Sequence, residues 1–234
     1  MIDIILNSSY GLVLTLLAFL FSLRLSNKIK IKIIHPLVLT QLIIIGFLVY
    51  FKIDYKDYMN AGANIIASFL GPATIVLAVP LFRQWSSLKS NALPILIGVL
   101  AGSLTGILSM FFLSKLIGLD KLLNLSLITK SVTTPIAMDI TKSLGGVPSI
   151  TILGVIFAGL IGATIGPKIL SIFGITNNIA RGIAMGTASH GLGTAIALEE
   201  GEVQGAMAGL SVGLTGLTTA LIIPFMAKIL INFM

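Results

Sequence analysis

The sequence predicts an all-α integral membrane protein with discontinuous or re-entrant helices, a single transmembrane domain over residues 1–234. Three observations carry this. Hydrophobic residues make up 56% of the chain and charged residues 10%, with a mean hydropathy of +1.07, far above that of a soluble domain of this size. Apolar stretches recur at a length that fits a bilayer, roughly 20 residues at 1.5 Å rise. Three of the apolar regions are interrupted by glycine, proline and hydroxyl residues, which mark non-helical backbone that lipid does not tolerate unless protein or a wet cavity surrounds it.

In chain order, the apolar stretches are Ile5–Leu23, Ile33–Phe51, Ala61–Phe82, Leu93–Ile117, Val147–Phe173, Ile179–Leu198 and Val203–Phe233, about seven segments in all. The opening MIDIILNSSYG has neither a basic n-region nor a small-residue cleavage site, so the first segment is expected to remain as a helix. Arg24, Lys28, Lys30 and Lys32 follow the first segment, and Arg83 and Lys89 follow the third with no acid between them. Positive charge on the cytoplasmic side then places both loops in the cytoplasm, with the N-terminus and the loop carrying Asp54 and Asp57 outside. His35, beside Pro36, reads as an interfacial residue. The net charge of +7 is largely this bias and not a nucleic-acid surface. No cysteine is present, which excludes disulfides and thiolate metal sites, and no cofactor or metal is expected.

A weak repeat is visible. GSLTG at Gly102–Gly106, GLIG at Gly159–Gly162 and GLTG at Gly213–Gly216 each follow an interrupted segment and are spaced about 55 residues apart, although small residues are common in membrane helices anyway. If the repeat is real, the interrupted segments are equivalent parts, as at a transporter's binding site.

The interruptions carry the chemistry. Pro135 fits a first helical turn, which makes Thr134 the expected N-cap, beside Thr133, and aims free N–H groups and a positive dipole end outward. That arrangement binds anions. Gly71 and Pro72, with Thr74, repeat it in the third stretch, and Ser189 can cap a half-helix starting at Gly191, Gly193 and Thr194. Asp139 lies one turn into the helix after Pro135 and can pair with Lys142, either within the membrane or at its watery edge. His190, among glycines, could be a ligand, a proton carrier or a hydrogen-bonded structural residue. Ser189 beside His190 does not make a hydrolase: adjacent residues do not form that pair easily and there is no G-x-S-x-G elbow, so no enzyme is expected.

Three long, collinear segments, KSVTTPIAMDITKSLGG, LGPATIVLAVPLFRQ and ASHGLGTAIALEEGE, resemble the signature segments of the LrgB/CidB family over nearly the whole chain. Asp139 stands where glutamate is common in that motif. The resemblance implies an antiholin- or holin-like modulator of murein hydrolase export and autolysis, working beside a small LrgA/CidA-type membrane protein. It also implies kinship with carriers of pyruvate, or of glycolate and glycerate in plastids. The expected reading joins the two arguments: two or three discontinuous helices meet near the midplane and offer N-termini and the hydroxyls of Thr133, Thr134, Ser189 and Thr194 to a small carboxylate. Lys130 or Arg181 would attract the anion at an entrance, and His190 or Asp139 would carry a coupled proton. Homo-oligomerisation through glycine-rich faces is also expected.

Overall fold

The computed structural model describes residues 9–29, 36–69, 72, 75 and 78–231 and falls into two units, Met1–Val76 and Leu77–Met234. Every element among the described residues is helical. Gly71, Thr74 and His35 lie outside them, and Pro72 is exposed.

In the first unit α1 (Tyr10–Ile29) packs on α2 (Pro36–Phe51), followed by the short α3 (Tyr55–Tyr58), a π-turn (Met59–Ala63) and α4 (Asn64–Ser68). Asp54 starts α3 by accepting a hydrogen bond from the Lys56 amide at 3.0 Å. The turn fits against α1 because Gly11 has no side chain to strike the Tyr58 and Ala61 carbonyls, and Gly62, at φ 97°, takes a left-handed conformation that glycine accepts.

The second unit runs α5 (Ala78–Arg83), α6 (Trp85–Ser90), α7 (Ala92–Leu116), α8 (Lys121–Leu127), α9 (Thr134–Ser143), α10 (Pro148–Ile172), α11 (Asn178–Glu200) and α12 (Glu202–Ile231). Among the described residues three of these helices, α7, α10 and α12, are long and apolar enough to cross a membrane. At 25 residues, α7 and α10 are each about 37 Å long, against a hydrocarbon core of about 30 Å. Their large side chains face outward: Phe157, Ile161, Ile165 and Ile169 form an exposed i, i+4 stripe on α10, as do Leu217, Leu221 and Phe225 on α12. Such stripes suit lipid, not water.

The stretch Ile179–Leu198, expected as a further apolar segment, does not cross. A straight helix would hold Arg181 and Glu200 about 28 Å apart, yet Arg181 Nη2 lies 2.6 Å from Glu200 Oε1. The reversal is at His190, whose backbone sits at φ 40° and ψ −126°. Thus α11 is a hairpin of two limbs, residues 178–189 and 191–200, each about 15–18 Å long and so reaching about halfway through the bilayer. The limbs close tightly: a Cβ at Gly193 would overlap the Met185 carbonyl oxygen, and one at Gly186 would overlap that of Ala208 on α12. Gly186→Ala must therefore displace backbone against backbone, and we expect it to cost about 1–3 kcal/mol, seen as a lowered thermal midpoint in detergent.

A second hairpin comes from the opposite face. Asn124 on α8 donates to Ser114 Oγ near the end of α7, and the Val147 amide, just ahead of α10, donates to Ser126 Oγ at 2.8 Å. Deeper in, Thr129, Thr141 and Thr151 join α8's end, α9 and α10 through buried hydroxyl contacts of 2.9 Å. Ser131 then reaches Gly106, midway along α7. The α8–α9 hairpin thus rises from the 117–120 and 144–147 loops, while α11 enters from the side of Asn91 and Asn177. Pro135 sits in α9's first turn as expected, but the cap is Thr133 and not Thr134, and its hydroxyl makes no capping bond.

Cysteines placed at Gly174 and Gly201 should label from one side of the membrane and one at Gly145 from the other, with no native thiol to interfere. Labelling of Gly174 and Gly201 from opposite sides would mean that α11 crosses.

Candidate functional site

Two glycine stripes, with one glycine of α12, seat the hairpin tips. On α7, Gly98, Gly102 and Gly106 recur at i+4, and a Cβ at each would meet Ile183, Thr187 and Ser131 respectively, the second at 2.7 Å. On α10, Gly159, Gly162 and Gly166 face His190, Ser189 and Met185, and on α12 Gly216 faces Ile136. The glycines that looked like a repeat in the sequence share a contact: Gly102, Gly106, Gly159, Gly162 and Gly216 are all places where a tip residue approaches a crossing helix. Gly213 meets nothing within 4 Å.

Two grooves flank the first limb of α11. The more polar of the two, of about 770 Å³, lies between that limb and α7; its lining is mostly apolar, but this polar groove carries Thr105, Ser109, Lys130, Ser131, Thr187 and, towards its mouth, Asn91 and Asn177. An apolar groove of about 630 Å³ lies between it and α10. Ala184 and Ala188 are the wall common to both. Lys130 also lines both, and among the described residues no other charged one lines either. Its ammonium donates to Ser131 Oγ at 3.1 Å, and no carboxylate among the described residues lies within ion-pair distance. Thr187 Oγ1 and Ser189 Oγ are buried without a hydrogen-bond partner, a cost a ligand or water would relieve. Around Lys130 there is thus a half-buried cation with hydroxyl donors beside it, a set suited to a small anion.

The other sequence-selected residues fall into distinct places. Thr133 and Thr134 start α9 but line neither groove. Asp139 and Lys142 pair at 3.9 Å on an exposed face of α9. Arg181 is held at the open end of the hairpin, its Nε donating to Glu200 Oε2 at 2.9 Å and its Nη1 to the Ile175 carbonyl at 3.0 Å. His190 is the turn itself: Nε2 donates to the Val155 carbonyl at 3.1 Å, which defines the tautomer when the ring is neutral, and Thr194 Oγ1 donates to the His190 carbonyl at 3.0 Å. Gly191, beside it, has open space around it, and Gly193 lets the limbs touch. Both tips rest on Val155, which packs with Val132 and Ala137 as well as accepting from His190. Thr105, Ser109, Ser131 and Thr187 were not singled out in the sequence, although the i, i+4 glycines of α7 were a signal that something packs closely there.

Comparison with known proteins places the chain. The LrgB-like family model matches residues 15–229. The Bacillus subtilis (strain 168) protein YxaC is 39% identical over 203 residues, 87% of this chain and 88% of the relative. "Antiholin-like protein LrgB" of the same organism is 36% identical over 222 residues, 94% and 96% of the two chains, and its Bacillus cereus (strain B4264) namesake is 36% identical over 216, 92% and 94%. No solved structure matches. A match of this extent, running through both hairpins, makes the chain a member of the LrgB-like family.

Proposed function

We propose that this protein is a membrane carrier for small monocarboxylate anions of the pyruvate, glycolate or glycerate class. The observation that carries the reading is Lys130, an unpaired cation where two opposed re-entrant hairpins meet among unsatisfied hydroxyls. A desolvated carboxylate needs several such donors at once, and hairpins that enter from opposite faces put a site within reach of both. The positive charge of Arg83 and Lys89, with no acid between them, supports a mouth at Asn91 and Asn177 on the cytoplasmic side of a bacterial inner membrane. The hydroxyls of Ser131 and Thr187 orient the anion, and no metal, cofactor or covalent chemistry is invoked.

The names of the relatives favour a second reading, an antiholin-like modulator of autolysis, acting with an LrgA/CidA-type membrane partner or as a homo-oligomer. The test is uptake of labelled pyruvate, glycolate and glycerate into proteoliposomes holding the full chain, with and without such a partner. Saturable uptake of one of them, blocked by the others and not by neutral analogues, supports the carrier. Leakage without solute preference supports the second reading.

A further inference from the structure

The apolar groove has a use that a site for pyruvate alone does not explain. It runs along α10 from Gly154 to Leu170, about 24 Å at 1.5 Å per residue. Among the described residues that line it, only Lys130 and Ser189 have polar side chains. Lys130 stands at the Gly154 end, since a Cβ on that glycine would lie 3.5 Å from the Lys130 Cβ. Ser189 is 1% exposed, and its Oγ has no hydrogen-bond partner among the described residues. One end therefore offers a cation, the unsatisfied Ser189 hydroxyl faces Gly162 midway along, and the rest offers only hydrocarbon such as Ala158 and the Ile161 and Ile165 of α10's outward stripe. The polar groove reaches the same ammonium from the other side of Ala184 and Ala188.

The geometry points to a substrate class wider than the smallest acids: monocarboxylates with an alkyl tail, whose carboxylate sits at Lys130 and whose tail lies in the apolar groove. This inference rests on the carrier reading. A free acid is favoured over a bilayer phospholipid because Lys130 is at a hairpin tip, below the loops at 117–120 and 144–147 where a headgroup would lie. The two arms of the site divide the ligand by polarity. Small hydroxy or oxo groups meet Ser131 and Thr187 in the polar groove, and methylenes leave water on the other side of the alanine wall.

The test is displacement of labelled pyruvate from the purified full-length chain in detergent by linear 2-oxo acids, from pyruvate up to 2-oxooctanoate. Each methylene that leaves water contributes about 0.8 kcal/mol, so the inhibition constant should fall up to about fourfold per added carbon. Ala158→Phe fills the groove and should flatten that slope. If this variant fails to fold, Phe157→Ala at the exposed rim should lower the gain per methylene instead. A flat series in the parent, with pyruvate still bound, overturns the tail site and leaves the carrier reading standing. A slope that persists unchanged in both variants places the tail in lipid or detergent and also overturns it. Failure of pyruvate itself to bind removes both.

Discussion

Lys130→Met should abolish saturable uptake of a monocarboxylate, with binding weakened about 30- to 150-fold. The size follows from the surroundings. Among the described residues Lys130 is the one charged side chain shared by the two grooves, and its side chain donates to Ser131 Oγ. A charge-assisted bond in a site sheltered from water contributes about 2–3 kcal/mol, and each 1.4 kcal/mol is a decade. Methionine keeps the length and apolar stem, so packing against Leu127 and Gly154 is retained and the loss reports the charge. Lys130→Arg keeps the charge and should recover much of the binding. Thr187→Val removes one neutral donor and should cost about threefold to tenfold. Uptake by Lys130→Met equal to that of the parent would end the carrier reading and leave the antiholin-like one ahead.

Much of this architecture could be read from the chain, and what could not has a physical cause. Composition and hydropathy are enough to place the protein in a membrane, because lipid demands an excess of apolar residues that no soluble fold shares. Pro135 and the glycines around His190 mark helix starts for local steric reasons, and both are found at hairpin tips. Local rules do not say whether an apolar stretch continues or turns back. Residues 179–198 read as one apolar run along the chain, and the reversal shows only in three dimensions, in the His190 backbone and in the pairing of Arg181 with Glu200, 19 positions apart. The same limit hid the polar groove. Thr105, Ser109 and Thr187 are ordinary small polar residues of membrane helices until α7 and α11 bring them to one cleft around Lys130. Thr133 and Thr134 illustrate the reverse case, conspicuous in the sequence yet lining neither groove.

Arg181→Met and Glu200→Met should each destabilise the protein by about 3 kcal/mol, while the double replacement should lie close to the parent. The two side chains are only 13% and 22% exposed, and their bidentate contact closes α11 at its open end. Removing one partner strands a charge where water is scarce, at a cost of about 3–5 kcal/mol for a fully buried pair and somewhat less here. Removing both leaves an apolar contact that costs little. Arg181 also donates to the Ile175 carbonyl and, at 3.4 Å, to that of Pro167, so it fastens the hairpin to the end of α10. It acts as a positioning residue: it holds the limb whose Thr187 and Ala188 line the polar groove some two turns further in. Thermal midpoints of the four proteins in detergent give the coupling directly. Spin labels at Asn178 and Glu199, both exposed, report the hairpin itself. They should lie within roughly 20 Å of one another, whereas an unbroken helix separates those positions by about 30 Å. In the single variants the distance distribution should broaden toward larger values, with carboxylate affinity falling in parallel. Single variants as stable as the parent, or labels at the longer distance in the parent, would show that α11 is not closed by this pair, and the cleft around Lys130 would lose one of its walls.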